Sequence, residues 1–307
     1  MVVSGNDRER IMNGFQIDNE LLRQWRRLAL IHFPTLCQPR SAHSHKGTFG
    51  TLGIVGGAEG MAGSITLAGM AALHCGCGKV WLGFHQPALP IPLLFQQPEI
   101  MLSTANRLLQ RSDITAWVIG CGLGTETSAL TKLTECLQQK SVVPMLLDAD
   151  ALNLVAQQPA LLSSRQNQQD IILTPHLGEA ARLLHCTIGE IQNNRYQAVR
   201  CLAEKYGAWV VLKGHQSLIA SPNGQVQQNE TGNAGLATAG SGDVLAGIIG
   251  SLLAQRIPPQ QAVYAGVWLH GAAADILAAS EIGPIGLCAG EIAAAVRWLR
   301  NRLTEPV

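Results

Sequence analysis

Short runs of aliphatic and β-branched residues alternate along the chain with longer stretches in which apolar residues recur at helical spacing. The short runs predict strands at residues 51–55, 79–84, 116–119, 144–147, 171–174 and 209–213. The longer stretches predict helices at residues 62–75, 128–139, 177–184, 188–206, 242–255, 260–279 and 290–302. Strands that alternate with helices predict an α/β fold with a mainly parallel central sheet flanked by helices. Polar residues and glycines gather just after the predicted strands, at the edge of such a sheet where ligands bind.

Residues 1–40 are predicted to form an extension with one short helix, and residues 41–307 a single domain. Asp18 is placed to cap that helix. Its apolar face would carry Leu21, Leu22, Trp25, Leu28 and Ala29, and its solvent face Arg23, Arg26 and Arg27. We expect the helix to dock on the domain or on another subunit; a nucleotide-contacting arm is the less favoured alternative.

The amino-acid composition excludes several classes of function. Only 14% of the residues are charged, which is well below the share of about 25% in average proteins. The 47% apolar content excludes disorder for most of the chain. With 22 Lys and Arg against 21 Asp and Glu there is no basic excess for nucleic acid. Glycine is enriched, at 32 of 307 residues, which is typical of an α/β protein that holds ligands with backbone amides.

The first residues, the longest apolar run and the cysteines together predict the cellular compartment. Residues 1–10 mix charges without an apolar core, so we expect no secretory signal. The run 244–254 is shorter than a membrane helix, which needs roughly 18 residues, so we expect no membrane partner. The 8 cysteines lack zinc-ligand spacing and are expected mostly as buried fillers. The protein is predicted to be cytoplasmic.

The most informative segment is a glycine-rich loop, 229–242, that runs directly into an apolar helix. The unpaired amides of Gly240, Ser241 and Gly242 would present a positive helix end to an anion. Asp243 follows at once, where a carboxylate beside phosphate makes sense as a base that deprotonates an attacking hydroxyl. The alternative, that Ser241 or Asp243 merely caps the helix, stays open here.

Two further segments place polar residues at strand ends. In residues 211–217, Lys213 can reach a phosphate and Gly214 lets a ligand approach the backbone, although a simple hairpin is an alternative. In residues 173–179, His176 either hydrogen-bonds a ligand or caps a helix, and Glu179 is a first-turn acid rather than a metal ligand.

Three weaker segments complete the pattern. Asp148 and Asp150 follow a strand and either position Mg²⁺ through water or cap a short helix. Residues 120–124 (GCGLG) lack the spacing of a dinucleotide fingerprint. Residues 56–64 form a second loop that enters a helix, with room for a flat ligand.

In chain order, the motifs HKGTFG, GGAEGMAGS, GCGLG, LDADALN, LTPHLGE, VLKGHQS and TAGSGDVLAG resemble the ADP-dependent NAD(P)H-hydrate dehydratase family of the ribokinase-like superfamily. The resemblance extends from about His45 to about Trp298. It implies a ribokinase-like catalytic domain in residues 41–307. Many bacterial relatives carry an epimerase domain in front of this one, and we expect the leading residues to be too few to hold it.

The resemblance also implies roles for site residues. The adenine nucleotide would be bound by Lys213, Gly214, His215, Gln216, Ser217 and Gly242. The hydrated nicotinamide nucleotide would be bound by Ser64, Gly124, His176 and Asp243. Relatives often have alanine where this chain has Ser64. No metal ligand is assigned, but Mg²⁺ would bridge the phosphates.

The implied reaction follows from the chemistry of the substrate. NADH hydrate and NADPH hydrate carry a hydroxyl on ring carbon 6, and hydroxide is a poor leaving group. Phosphorylation of that oxygen by ADP, with Asp243 as the base and the loop amides stabilising charge, lets the ring nitrogen expel phosphate. The products would be NAD(P)H, AMP and phosphate. We expect a homotetramer and functional pairing with an NAD(P)H-hydrate epimerase.

Other functions remain as alternatives at this point. A ribokinase-like kinase of hydroxymethylpyrimidine or hydroxyethylthiazole would leave a stable phosphomonoester. A nucleotide-binding sensor would bind ADP without turnover, although it would not need Asp243. A conventional dehydrogenase is least favoured, because the dinucleotide spacing is missing.

Overall fold

A nine-stranded sheet forms the centre of the computed structural model, which describes residues 14–139, 143–163 and 170–305. In chain order the strands are β1 (Thr51–Gly56), β2 (Lys79–Phe84), β3 (Met101–Thr104), β4 (Ala116–Ile119), β5 (Met145–Leu147), β6 (Ile171–Leu173), β7 (Trp209–Leu212), β8 (Leu218–Ala220) and β9 (Val226–Gln228). Across the sheet the order is β3-β2-β1-β4-β5-β6-β7-β8-β9. The first seven strands of this order are parallel, and β8 and β9 are antiparallel.

Helices pack on both faces of the sheet, as the pattern predicts. One face is covered by α1 (Asn19–His32), α2 (Ala62–His74), α10 (Ser241–Ala254), α11 (Pro259–Ala279) and α12 (Ala289–Leu303). The other face carries α3 (Ala105–Leu108), α4 (Thr127–Leu137), α5 (Asp150–Gln157), α6 (Ala160–Ser163), α7 (Leu177–Leu184), α8 (Ile188–Asn193) and α9 (Arg195–Tyr206). Two short 3₁₀ helices span Pro34–Cys37 and Ala234–Leu236.

Alternation along the strands divides the core into two layers. In β4, Ala116 and Val118 join the layer under α10, whereas Trp117 and Ile119 join the opposite layer. All four residues are buried, because each face of a parallel sheet is covered by helices.

Most predicted elements are confirmed, and the differences have local causes. The predicted helix 188–206 is wrong as one element, because Asn194 separates α8 from α9. The Asn194 side chain accepts from Gln197 N at 3.2 Å, a local bond that competes with helix continuation. The pattern does not predict strand β3, which is a four-residue, half-buried edge strand without a clear alternation.

The N-terminal helix α1 lies against the domain. Asp18 caps it, accepting from Glu20 N at 2.7 Å and Leu21 N at 3.1 Å. Trp25 packs edge-on against Trp268 of α11, with ring centroids 5.7 Å apart. The prediction that Arg26 faces water is wrong: Arg26 is buried and donates to the carbonyl of Glu305. Residues 1–13, including the segment predicted to lack a signal, lie outside the described residues, and the boundary at residue 40 stays a prediction.

Among the described helices, α11 alone has the length and apolar character to cross a membrane. The prediction of no membrane helix is based on residues 244–254 and does not take α11 into account. Within its most apolar 18-residue window, 83% of the residues are buried inside the fold. Its composition is therefore accounted for by its place in the core, between α10 and α12.

Candidate active site

The neighbouring parallel strands β1, β4, β5 and β6 end level with one another and bring predicted motifs to one edge of the sheet. The pairs Val55–Ile119, Ile119–Leu147 and Leu147–Leu173 lie directly opposite each other. The loops beyond them are tied together by backbone bonds, including Gly57 N to Cys121 O at 3.0 Å and Lys213 N to Pro175 O at 2.8 Å. Segments far apart in the chain therefore form one site.

The glycine-rich loop enters α10 without a side-chain cap. The N-cap residue is Gly240, whose φ is 85°, the left-handed conformation that glycine adopts without strain. Neither Ser241 nor Asp243 caps the helix, so the capping alternative for these residues is wrong. The hydroxyl of Ser241 instead lies 3.2 Å from Nε2 of the buried His270. The prediction that the Ser241 amide is unpaired is wrong, because Ser241 N donates to Thr238 O at 3.3 Å. The amides that follow it, from Gly242 on, are the ones placed for an anion.

A cavity of about 570 Å³ opens beside this loop. Its walls include all the predicted nucleotide residues and one more residue of the anion loop, namely Lys213, Gly214, His215, Gln216, Ser217, Gly242 and Ser241. They also include His176, which is predicted to bind the hydrated nicotinamide nucleotide. The remaining predicted residues, Ser64, Gly124, Gly240 and Asp243, lie outside this lining. The hairpin alternative for residues 211–217 holds as well, since β7 and β8 are antiparallel and the turn between them lines the cavity.

Lys213 stands at the inner end of the cavity within a small ion cluster. Its Nζ is 2.6 Å from Asp148 Oδ1 and 3.8 Å from Glu179 Oε2. Burial lowers the pKa of Lys213, but the carboxylates of Asp148 and Glu179 outweigh it, so the pKa is raised. A Cβ added at Gly242 would lie 3.4 Å from Nζ. The ammonium group therefore lies close to the start of α10, where a phosphate would sit.

Asp243 follows Gly242 in the first turn of α10 and is not part of the cavity lining. The Cys121 thiol and the Ser64 hydroxyl lie next to its carboxyl group and lower its pKa, because they favour the charged form. Burial raises the pKa of Asp243 because desolvation disfavours the carboxylate, and the charge of Asp148 adds to the effect. A partly buried carboxylate with a raised pKa at the junction of two ligand regions is suited to accept a proton.

His176 both caps a helix and faces the cavity. Its Nδ1 accepts from Gly178 N at 2.9 Å and Glu179 N at 3.3 Å, and Glu179 Oε2 accepts from His176 N at 2.8 Å. These reciprocal bonds form a capping box. Burial and the nearby Lys213 lower the pKa of His176. Because Nδ1 accepts, the neutral ring carries its proton on Nε2. The capping function is confirmed, and Glu179 has the predicted first-turn position.

Asp150 and Asp148, which the sequence leaves with the same two alternatives, have different partners. Asp150 Oδ2 accepts from Gly124 N at 2.9 Å, so the Gly124 amide is already used. Ala149, with φ of 50°, precedes α5, and neither aspartate caps that helix. Gly124 adopts φ of 87°, and a Cβ there would lie 2.3 Å from Glu126 Oε2.

Three supporting residues escape the sequence analysis. Arg195 donates from Nη1 to His215 O at 2.7 Å and from Nη2 to Gln216 O at 3.0 Å, which braces the cavity loop. Asp275 accepts from Gly232 N at 2.8 Å and braces the glycine-rich loop. His270 holds Ser241. No motif surrounds these residues, and only the fold brings them to the loops.

The described residues contain no group of three or more His, Cys, Asp or Glu side chains placed to hold a metal ion. Asp148 and Glu179 are the two carboxylates next to Lys213 at the phosphate end of the cavity. This is the number of carboxylates that Mg²⁺ takes when substrate phosphates and water complete its shell.

The sheet order, the uncapped glycine-rich helix start and the cavity beside Lys213 define the class as an α/β enzyme of the ribokinase-like fold. A family model described as NAD(P)H-hydrate dehydratase matches residues 52–295. This match spans well over half of the chain, and the chain belongs to that family.

Individual relatives agree with this assignment. An ADP-dependent (S)-NAD(P)H-hydrate dehydratase of Neisseria meningitidis serogroup B is 52% identical over 291 residues, covering 95% of this chain and 98% of that protein. The bifunctional NAD(P)H-hydrate repair enzyme of Escherichia coli is 40% identical over 86% of this chain, which spans 50% of that protein. The crystal structure of an ADP/ATP-dependent NAD(P)H-hydrate dehydratase from Bacillus subtilis, co-crystallised with ATP and Mg²⁺, superposes with a TM-score of 0.75 at 31% identity, covering 87% of this chain and 94% of that one.

Proposed function

We propose that this protein removes water from the S form of NADH hydrate or NADPH hydrate at the expense of ADP, giving NAD(P)H, AMP and phosphate. The observation that carries the proposal is the position of Asp243. It follows Gly242, which lines the cavity together with Lys213, and it lies beside Ser64, which is predicted to bind the hydrated nicotinamide nucleotide. The family and the named relatives support the same activity.

The first step is a phosphoryl transfer. The hydroxyl oxygen on ring carbon 6 forms a bond to the β-phosphorus of ADP, and the bond from that phosphorus to the bridging oxygen breaks, releasing AMP. Asp243 takes the hydroxyl proton. The amide of Gly242 and the ammonium group of Lys213 stabilise the charge on the transferred group.

The second step expels phosphate. The lone pair of the ring nitrogen forms a double bond to carbon 6 as the carbon–oxygen bond breaks, and the substrate oxygen leaves within the phosphate. Loss of a proton from carbon 5 then restores the dihydronicotinamide. In sum, the hydrate loses one hydroxyl group and one proton, which is a dehydration.

Asp148 and Glu179 would hold Mg²⁺ through water, since they flank Lys213 at the phosphate end of the cavity. When bound, Mg²⁺ neutralises charge on the phosphates of ADP. The two carboxylates also keep the ammonium group of Lys213 charged and in place, whichever phosphates are present.

The deciding experiment assays S-form hydrate with ADP and with ATP side by side. We expect the reduced-nicotinamide absorbance to return, with one AMP and one phosphate formed per hydrate when ADP is the donor. A stable phosphomonoester would instead identify a small-molecule kinase. Tight ADP binding with no turnover would identify a nucleotide sensor.

We also propose which stereoisomer of the hydrate reacts and how the protein assembles. Carbon 6 of the hydrate is a stereocentre, so a racemic hydrate should be converted only by half until an NAD(P)H-hydrate epimerase is added. The bifunctional relative from Escherichia coli supports this pairing. We place the protein in the cytoplasm as a homotetramer.

A further inference from the structure

Ser241 and His270 form a buried polar pair in the wall of the cavity beside the glycine-rich loop. Their side chains line the cavity, although the two residues are only 6% and 7% exposed. Ser241 Oγ lies 3.2 Å from His270 Nε2. Neither side chain takes part in the two reaction steps of the proposed dehydration. The hydrogen bond between them nevertheless lies where the proposed phosphates would bind.

Helix α11 holds the His270 ring in a fixed position relative to the glycine-rich loop. Two residues before His270, Trp268 O accepts from Thr231 Oγ1 of the loop at 2.9 Å. One residue after His270, a Cβ added at Gly271 would lie 2.4 Å from the same Thr231 oxygen. The helix and the loop are therefore in close contact on both sides of His270, and the ring cannot move independently of the loop.

The protonation of His270 decides which atom donates in this pair. Burial and, to a smaller degree, the charge of Lys213 lower the pKa of His270 to about 4, so the ring is neutral at neutral pH. The backbone hydrogen bond with Ser241 acts in the opposite direction and raises the pKa. A group that favours the protonated ring is an acceptor. The single proton of the neutral ring is thus expected on Nε2, the nitrogen that faces Ser241.

A proton on Nε2 changes what the Ser241 hydroxyl can offer to a ligand. A hydroxyl group has one hydrogen and two lone pairs. When Nε2 donates to one lone pair, the hydrogen of Ser241 is left to donate into the cavity. If Nε2 accepted instead, Ser241 would present only lone pairs there, which repel an anion. The neighbouring groups, the amide of Gly242 and the ammonium group of Lys213, are also donors.

We propose that His270 is a positioning residue. It donates to Ser241 Oγ and thereby directs the Ser241 hydroxyl hydrogen to the β-phosphate of ADP, the group that is transferred. The inference rests on the proposed function, because that function supplies ADP and the transfer. AMP lacks the β-phosphate, so its binding does not use this hydrogen bond.

The first test compares the binding of ADP with that of AMP. Isothermal titration calorimetry gives Kd of both nucleotides for wild-type protein, Ser241→Ala and His270→Leu. We expect each substitution to raise Kd for ADP about tenfold and to leave Kd for AMP unchanged. The matched control is Ser251→Ala, which removes another buried hydroxyl of α10 that donates to Ala72 O at 2.9 Å outside the cavity lining. It should leave both Kd values unchanged.

Two further variants distinguish positioning from a purely structural function. His270→Gln keeps an N–H donor near the position of Nε2, so Kd for ADP should return to within about threefold of the wild-type value. In the double variant Ser241→Ala/His270→Leu, Kd for ADP should equal that of Ser241→Ala alone, because His270 acts through the hydroxyl.

Steady-state kinetics give a separate measurement. In Ser241→Ala and in His270→Leu, kcat for S-form hydrate at saturating ADP should fall about tenfold. KM for the hydrate should stay constant, because the hydroxyl contacts the phosphate of ADP rather than the hydrate. A general loosening of the fold would change both constants.

The inference is overturned if His270→Leu or Ser241→Ala binds ADP as wild-type protein does, or if Kd for AMP rises as much as Kd for ADP. It is also overturned if the two substitutions have additive effects in the double variant. ADP binding that depends on His270, without conversion of S-form hydrate, would overturn the proposed function and leave the positioning of Ser241 standing. Conversion of hydrate by wild-type protein, with unchanged ADP binding in both single variants, would do the reverse.

Discussion

At the scale of single residues, burial moves two side chains beside the glycine-rich loop toward their neutral forms. It raises the pKa of Asp243, and it lowers the pKa of His270 to about 4. A neutral His270 carries one proton and one lone pair, so it can hold the Ser241 hydroxyl without adding positive charge to the core. Replacing Asp243 should therefore lower the activity without lowering the stability at neutral pH.

Asp243→Asn should lower turnover of S-form hydrate at saturating ADP by at least about 100-fold, because the amide cannot accept the hydroxyl proton. In wild-type protein, kcat/KM should fall on the acid side at a pH above the ordinary aspartate pKa, because the native pKa is raised. Rates measured from about pH 4 to about pH 9 give both results. Unchanged turnover in the variant would exclude Asp243 as the base.

The same substitution should not destabilise the protein at neutral pH. A carboxyl whose pKa is raised by folding contributes stability below its unfolded pKa and loses it as pH rises through the native pKa. Asparagine lacks this loss. The stability of the variant relative to wild-type protein should therefore increase from about pH 5 to about pH 8, as measured by thermal unfolding. A difference that stays constant with pH would contradict the raised pKa.

His270 should make wild-type stability sensitive to acid. Its native pKa is depressed to about 4, so stability that is present above the ordinary histidine pKa is lost as pH falls toward the native value. The loss is at most about 1.4 kcal/mol for each pH unit. In His270→Gln this slope should be smaller, and in the control His43→Gln, an exposed site, it should be that of wild-type protein. Urea unfolding at neutral and mildly acidic pH measures it, and parallel profiles for wild-type protein and His270→Gln would contradict the assignment.

At the scale of elements, two helices that carry site residues approach each other through glycine. α10 bears Asp243 and α2 bears Ser64, and a Cβ on Gly247 of α10 would lie 2.1 Å from the carbonyl oxygen of Ala68 in α2. A backbone atom cannot move away as a flexible side chain can. The contact therefore sets the distance between the two helices, and with it the position of both site residues.

Gly247→Ala should lower the free energy of unfolding by about 2 kcal/mol, since the overlap outweighs the higher helix propensity of alanine. Turnover should fall as well, because Asp243 and Ser64 move apart. The control is Gly63→Ala in α2, where an added Cβ meets nothing within 4 Å. We expect the stability of this control to be unchanged or up to about 1 kcal/mol higher. Urea denaturation of both variants measures these free energies. Equal stabilities would show that α2 and α10 move apart to accept the added methyl group.

At the scale of the whole molecule, a few large apolar side chains stand out because most of their surface is exposed to solvent. Three large side chains from separate parts of the chain are mostly exposed: Ile31 at 73%, Phe95 at 81% and Ile285 at 96%. Apolar side chains at this exposure are typical of surfaces that a partner covers when they fall into contiguous patches. The proposed homotetramer would supply partners of the same chain.

Sedimentation velocity should give the mass of four chains of 32.7 kDa each. Phe95→Glu should shift the population toward smaller species at micromolar concentration, because a charge would have to be buried in the interface. Arg200→Glu, a charge reversal at an exposed side chain of α9, serves as the surface control. A monomeric mass for wild-type protein would overturn the homotetramer.

The secondary structure could be predicted where breakers bound a periodic run. Strands β2 and β4 have the predicted bounds, with a glycine next to each, and helix α7 has the predicted bounds two residues after Pro175. The pattern misses the break at Asn194, because an asparagine side chain competes with a helix only weakly. It misplaces Arg26, because the charge suggests water whereas the partner is the carbonyl of Glu305, 279 residues away.

The class of fold, the family and those parts of the site that are contiguous in the chain could be predicted without a structure. A glycine-rich loop before a helix and residues 213–217 carry their backbone chemistry locally, so a local pattern is enough to find them. The pairs Lys213–Asp148, Ser241–His270 and Arg195–Gln216 could not be predicted in this way, because they join residues 65, 29 and 21 positions apart. Such contacts depend on which strand ends meet at the sheet edge. The side chains then desolvate one another there, and this desolvation, which no local pattern encodes, raises the pKa of Asp243.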